Sequence, residues 1–293
     1  MKKRTTRSPF FILLLINAFL SVVFISGIAV YHRKTTPETR ETFFLTPGNL
    51  TNVHFIKIIE KNTHECPVVL LSDDSDFWTG TSSASSEEIW PVNSESLKAL
   101  FNVFSKPVKI IKAAENISSF ENLELTDENA AVIVFSDTNQ KELLHLYFGK
   151  TDELTNRIYL RTSKDNTVWT VQDLYSIFLS ADPSFWSDPH LFPDFLFEKN
   201  KEALKNQSSL RRGKIAESNS VSNLKPEYTL SKIIPVTQNK IVFKIYKTRE
   251  LYTVHPEFIL HNSETEKTFS KLNYCYTVSQ VTLENLIGET DGF

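Results

Sequence analysis

The longest uninterrupted apolar stretch of the chain is its most distinctive pattern. Phe10–Tyr31 reads FFILLLINAFLSVVFISGIAVY, which is 22 residues without a charged side chain. As a helix with a rise of 1.5 Å per residue it would be roughly 33 Å long, enough to cross a hydrocarbon core of about 30 Å. Apolar residues occupy every face of such a helix, whereas a helix on a soluble core has one polar face. The sequence therefore predicts a transmembrane helix over residues 10–31.

Basic residues on both sides of this run predict its orientation. Four precede it and two follow it, and positive residues are retained on the cytoplasmic side of a membrane. We therefore expect a cytoplasmic tail (1–9), a single-pass helix in the cell membrane, a tether (32–42) and a periplasmic body. The alternative is a cleavable signal peptide, with small residues at Gly27-Ile28-Ala29, although the run is longer than the roughly 7–15 apolar residues of such peptides.

Short segments with alternating apolar residues predict strands in the body. Asn52–Lys61 places Ile56 and Ile58 on one face and Phe55 and Ile59 on the other, which is typical of a strand. Polar connectors separate four further strand candidates: Ala131–Ser136, Leu143–Phe148, Arg157–Thr162 and Val168–Thr170. Short connectors imply antiparallel neighbours, so these strands should form a meander.

Helical spacing of apolar residues predicts three helices. Ser94–Lys106 carries one apolar stripe, and Asn93 or Ser94 can cap its first amides. A second stripe predicts a helix that begins at Thr170, and Leu196–Lys205 predicts a third, more polar one. The apolar positions of the two stripes are Leu97, Leu100, Phe101 and Phe104, and Val171, Leu174, Tyr175 and Phe178. The expected fold class is α+β: an N-terminal transmembrane helix followed by antiparallel β-meander sheets with a few packed amphipathic helices.

Residues 207–227 lack apolar periodicity and form the best internal boundary. They separate an α+β domain at 43–206 from a smaller, β-rich C-terminal domain at 228–293. The clearest strand of that second domain is Lys240–Lys247, with Ile241, Phe243 and Ile245 on one face.

Composition limits the possible partners. The formal net charge is −3, and because residues 1–34 hold six basic residues and no acid, the rest of the chain carries −9. No Lys/Arg stripe is evident, so we expect no nucleic acid as partner. The 22 Phe and only 7 Gly favour a β-rich core. Cys66 and Cys275 could pair in an oxidising compartment or remain separate buried thiols.

No spacing of residues predicts a reaction. The glycines form no phosphate loop, no Gly-x-Ser-x-Gly elbow is present, and the histidines lack metal-ligand spacing. We therefore predict no cofactor, no metal and no enzyme. One alternative is an envelope hydrolase that uses the acidic loop of Asp73, Asp74 and Asp76, although such a loop is typical of a solvated turn. The other alternative is a purely structural domain.

One aromatic segment, Asp182–Phe195 (DPSFWSDPHLFPDF), is the candidate interaction surface. Exposed aromatic side chains would mark a partner site. The alternative is that the segment packs under the meander. The candidate residues are Phe185, Trp186, His190, Phe192 and Phe195.

The order of motifs from about Phe77 to Pro193 resembles a known family. The motifs are Trp78 in a hairpin, Trp90-Pro91-Val92, the helix SLKALFNVF, Phe120-Glu-Asn-Leu123, Leu146-Tyr-Phe-Gly149, Arg157-Ile-Tyr159 and Val168-Trp169-Thr-Val171. Together they resemble the bacterial family of domain of unknown function 4340 (DUF4340). That family has no agreed catalytic residues to carry over. The resemblance implies a membrane-anchored envelope protein that serves as an accessory or scaffold for a gliding-type ABC transporter, with the transporter as partner.

Overall fold

Two antiparallel sheets make up most of the structure. A computed structural model describes residues 16–26, 37–63, 68–72, 77–82, 87–193, 210–216, 221–233, 238–248, 251–260 and 270–288. Within these ranges, ten strands form one sheet in the order β1-β6-β10-β9-β8-β7-β2-β3-β4-β5. These strands are β1 (Thr39–Phe43), β2 (Phe55–Ile59), β3 (Val68–Ser72), β4 (Trp78–Thr81), β5 (Trp90–Pro91), β6 (Pro107–Ala114), β7 (Ala131–Ser136), β8 (Glu142–Asp152), β9 (Arg157–Thr162) and β10 (Val168–Gln172).

A smaller sheet of five strands follows in the described part of the chain, in the order β11-β15-β14-β13-β12. Its strands are β11 (Ile215–Ala216), β12 (Tyr228–Ile233), β13 (Lys240–Thr248), β14 (Leu251–Ile259) and β15 (Cys275–Val278). The α-helices are α1 (residues 16–26), α2 (Pro47–Leu50), α3 (Ser94–Ser105), α4 (Pro183–Trp186) and α5 (Gln280–Gly288). Two 3₁₀ turns cover Ile117–Ser119 and Ser176–Phe178.

The predicted meander is confirmed, because β7, β8, β9 and β10 are neighbours in sequence order and every pair is antiparallel. Two of their connectors contain a residue with a left-handed backbone, a conformation that Asn tolerates better than most residues. Gln140 has a φ of 60° and Asn156 a φ of 50°. In the first connector, the Asp137 side chain accepts hydrogen bonds from the backbone amides of Asn139 and Lys141, both at 2.9 Å.

Helix α3 covers the inner face of the ten-stranded sheet, as its apolar stripe predicts. Asn93 caps it, accepting from the amides of Glu95 at 3.0 Å and Ser96 at 3.4 Å. Leu97, Leu100 and Phe104 are buried. The Phe104 ring lies 5.1 Å from Phe135 of β7 and 6.5 Å from Phe148 of β8, centroid to centroid. Burial of such large rings stabilises this layer strongly.

The second sheet shares the same core. Ile241, Phe243 and Ile245 of β13 are fully buried, which confirms the predicted inward face. Phe243 packs edge-to-face against Phe192, with 5.3 Å between ring centroids. Residue Ile89 also exchanges two backbone hydrogen bonds of 2.9 Å with Asn273. Apolar side chains from both sheets therefore belong to one continuous cluster.

One part of the predicted fold class is wrong: the transmembrane helix over residues 10–31. No helix in the described part of the chain is both long and apolar enough to span a membrane. The flanking residues 10–15 and 27–31 lie outside the described ranges. The α+β class fits only in part, because antiparallel sheet dominates the described residues.

The helix predicted to begin at Thr170 is a second correction. The segment instead forms the end of β10 and the 3₁₀ turn Ser176–Phe178. Strand β10 lies between β6 and β9, so its backbone groups pair on both sides. Trp169 and Val171 are buried with strand periodicity, and this sheet pairing overrides the helical spacing of the later apolar residues. The helix predicted at Leu196–Lys205 lies outside the described residues.

Candidate functional site

The sequence-predicted interaction surface splits into buried and partly buried side chains. Trp186 is completely buried and Phe192 is 1% exposed, while Phe185 and His190 are half-buried. Phe195 lies outside the described residues, as do Asp73, Asp74 and Asp76 of the acidic loop. The Trp186 indole donates a hydrogen bond of 2.8 Å to the Ser180 carbonyl. In this arrangement Trp186 and Phe192 belong to the core.

A half-buried arginine holds this aromatic segment against the chain that leads to β11. Arg212 donates to the carbonyl oxygens of Asp188 at 2.6 Å and Ser187 at 2.8 Å. Burial lowers the pKa of Arg212 from its ordinary value, yet a guanidinium remains charged in proteins. Asp188 also accepts from the His190 ring at 2.8 Å. We call Arg212, Ser187, Asp188 and His190 the clamp. Their donors and acceptors bond to one another, which indicates a structural role.

The outer face of the ten-stranded sheet offers a different surface. Side chains alternate along β2, so Ile56 and Ile58 are fully buried on the inner face, whereas Phe55, Lys57 and Ile59 lie on the outer one. The neighbouring strands continue this face in register. Lys57 is paired with Val69 of β3 and Val134 of β7, Ile59 with Val132 of β7, and Val132 with Tyr147 of β8.

These residues line a groove of about 670 Å³. We call it the outer-face groove and define it by Phe55, Lys57, Ile59, Val69, Val134 and Tyr147. Most of its floor is apolar, and Phe55, Ile59, Val69 and Val134 are only half-buried. An apolar patch that the fold leaves in contact with solvent is a candidate binding surface.

A long connection between β6 and β7 covers the adjacent part of the outer face and ends the groove. We call residues 115–130 the cover loop. Its Phe120 and Leu125 form a small apolar cluster with Val168, against which Tyr147 and Tyr159 pack. The cover loop thus shields β8 to β10, and β3, β2 and β7 remain uncovered beside it.

Arg161 of β9 fixes the cover loop at this boundary. It is 7% exposed, and its Nε donates to the Leu125 carbonyl at 2.8 Å. Its guanidinium lies over the rings of Phe120 and Tyr147 and also pairs with Asp127. Burial, followed by the Asp127 carboxylate, raises the pKa of Tyr147, so its hydroxyl stays protonated at neutral pH.

Charges in the groove are distributed unevenly. The Asp127 carboxylate pairs with Arg161, and Glu142 lies 3.2 Å from the Nδ1 atom of His145. Lys57 is exposed on the floor of the groove. Among the described residues, its ammonium group makes no hydrogen bond or ion pair. Lys57 is thus the one lysine or arginine among the described residues that line the groove, and its cross-strand neighbours Val69 and Val134 are apolar.

Reactive groups near the groove are few in the described part of the chain. His145 stacks on Tyr147 at 4.8 Å and contacts Glu142, and no described hydroxyl or thiol is hydrogen-bonded to it. No group of three metal-ligating side chains occurs among the described residues. Cys275 is a free, buried thiol whose pKa burial raises to about 12, while Cys66 lies outside the described ranges. This arrangement can bind a ligand by apolar contact and charge.

The sequence contained a signal for the outer-face groove. Phe55 and Ile59 are large apolar residues on the face of β2 opposite Ile56 and Ile58. A strand that packs on one side only normally carries polar residues on its other side. Apolar residues on both faces of β2 therefore indicate a second contact surface, although the sequence does not show what borders it.

Comparison with known proteins gives a family and no closer relative. No curated protein and no solved structure matches the chain. The family model described as domain of unknown function (DUF4340) matches residues 84–235, just over half of the 293 residues. This range includes α3, the cover loop, the meander from β7 to β10 and the clamp around Arg212. The chain therefore belongs to the DUF4340 family.

Proposed function

We propose that the protein is a non-enzymatic accessory module that binds a segment of a partner protein in its outer-face groove. One observation carries the proposal: β3, β2 and β7 are covered by α3 and the core on one face and carry half-buried apolar side chains on the other. Leaving these side chains in water forgoes about 25 cal/mol for each Å² of apolar surface. A partner that covers them recovers this free energy.

The chemistry of the groove suits a protein segment. Protein interfaces combine an apolar centre with a polar rim. Here Phe55, Val69 and Val134 form the centre, and Glu142 and Asp127 lie on the rim. The cell envelope is the location that the family resemblance implies, and a component of an ABC transporter is the partner that it implies. We propose this assignment together with the binding role.

An affinity pull-down with a groove variant tests the proposal. Val134→Asp places a carboxylate on the groove floor without touching the inner core. Ala113→Asp is the matched control, because Ala113 is an exposed residue of β6 outside the groove. The same partner should be recovered by the parent chain and by Ala113→Asp, and Val134→Asp should recover at least ten-fold less. Equal recovery by all three folded proteins would contradict the proposal.

A further inference from the structure

We propose that the outer-face groove selects an extended segment that carries a carboxylate between two apolar side chains, and that Lys57 binds this carboxylate. The inference rests on the proposed function and adds the chemical identity of the bound segment. Its pattern is apolar-x-acidic-x-apolar, where the two x positions face away from the groove.

The spacing of the groove residues supports an extended ligand. Phe55, Lys57 and Ile59 lie on one face of β2, and alternate residues of a strand are about 6.6–6.8 Å apart. An extended peptide has the same repeat. Its alternate side chains can therefore contact Phe55, Lys57 and Ile59 in turn when it lies along β2.

Charge complementarity determines the central residue of the ligand. Both carboxylates of the groove already have cationic or imidazole partners, Asp127 with Arg161 and Glu142 with His145. Lys57 is the groove charge without a partner among the described residues, so a carboxylate meets it without displacing anything.

The position of Lys57 strengthens the preference for a carboxylate in the ligand. Its cross-strand neighbours are Val69 and Val134, with about 4.5–5.5 Å between directly opposed Cβ atoms. A ligand that covers these valines also covers the base of the Lys57 side chain and takes part of the water from around its ammonium group. Burying a charge without a counter-ion is costly, so a ligand that supplies the counter-ion is preferred over one that does not.

Two synthetic peptides and a charge reversal test the inference. The first has threonine at positions one, three, five and seven, valine at two and six, and glutamate at four; the second has lysine at four. Fluorescence anisotropy of the labelled peptides with the purified full-length chain measures both dissociation constants. The parent chain should bind the glutamate peptide at least ten-fold more tightly. Lys57→Glu should reverse that preference, and Lys57→Met should abolish it.

A second lysine provides the control for net charge. Lys98 is exposed on α3, so Lys98→Glu changes the net charge equally and should keep the glutamate preference. An unchanged preference in Lys57→Glu, or equal binding of both peptides by the parent chain, would overturn the inference, as would no binding of either peptide. These outcomes leave the proposed function to be judged by the pull-down with Val134→Asp, so the two failures are distinguishable.

Discussion

The guanidinium carbon of Arg161 lies 3.6 Å from the centroid of the Tyr147 ring. This contact joins two strands of the meander and marks the line where the cover loop ends and the outer-face groove begins. The same guanidinium lies 4.7 Å from the centroid of Phe120 in the cover loop. Arg161 therefore connects the covered and uncovered parts of the outer face, and the position of the groove wall depends on it.

Replacing Arg161 with lysine should destabilise the protein although the charge is kept. Lysine lacks the planar guanidinium that lies over both rings and the Nε–H that bonds to the Leu125 carbonyl. Loss of these contacts should lower the free energy of unfolding by about 1–3 kcal/mol, measured by urea denaturation. Lys164→Met, at an exposed position just after β9, should change it by less than about 0.5 kcal/mol. Equal stability of both variants would contradict the role of Arg161.

Arg212 and its neighbour Arg211 should respond differently to replacement by alanine. Arg212→Ala leaves the carbonyls of Asp188 and Ser187 without their donor, and unsatisfied buried groups cost about 1–3 kcal/mol each. Arg211 is exposed, so Arg211→Ala should have little effect. Thermal unfolding of the two variants measures the difference. A melting temperature for Arg212→Ala equal to that of Arg211→Ala would show that the clamp is not structural.

Gly80 of β4 should not tolerate a larger residue. It is paired with Trp90 of β5, and a Cβ atom at this position would overlap the fully buried Trp90 ring. Gly80→Ala should therefore cost about 1–3 kcal/mol through overpacking. A Cβ atom added at Gly48 would meet no other atom within 4 Å, and Gly48→Ala should be neutral or slightly stabilising. Chemical denaturation measures the free energy of unfolding of both variants. Similar values would contradict the close contact between Gly80 and the Trp90 ring.

Asp173 should contribute to the acid sensitivity of the fold. Burial acts to raise its pKa, but hydrogen bonds from Ser176, Tyr175 and Thr151 outweigh burial, so the pKa lies below its ordinary value of 3.8. A lowered carboxyl pKa stabilises the folded state above that ordinary value, and the stabilisation is lost as the pH falls through the folded-state pKa. Asp173→Asn should thus lose stability near neutral pH, by less than about 1 kcal/mol because solvent screens this partly exposed carboxylate.

The pH profile of Asp173→Asn provides the check. The difference in unfolding free energy between the parent chain and this variant should shrink as the pH falls from 6 to 2. Glu153→Gln is the control, because Glu153 is an exposed acid in the turn after β8. A difference that stays constant with pH would mean that the Asp173 charge does not matter.

Local sequence patterns correctly predicted the elements whose hydrogen bonds and contacts join residues that are close in sequence. Asn93 caps α3 as its position implies, and the β7–β10 meander follows from its short polar connectors. The prediction of a helix from Thr170 was wrong. Leu174 and Tyr175 lie three and four residues after Val171, which is helical spacing, but Val171 belongs to β10 and pairs in the sheet. The structure of that segment is determined by pairing with strands that are distant in sequence. A local pattern carries no information about such pairing.

The candidate site depends on contacts between residues distant in sequence. Strand β6 pairs with β1 and β10 rather than with β7, which follows it in the chain. The cover loop must therefore cross the outer face to reach β7. Phe55 and Ile59 signalled a second apolar face, but the wall at Arg161 and the unpaired charge of Lys57 emerge only from the assembled sheet.

Site-specific photo-crosslinking in living cells tests the central claim most directly. A photoreactive amino acid replaces Val134 on the groove floor in one variant and the exposed Ala113 of β6 in the other. The account predicts a discrete crosslinked partner from position 134 that is absent from position 113, with both variants accumulating equally. The same adduct from both positions, or an adduct from position 113 alone, would contradict the assignment of the outer-face groove as the binding surface.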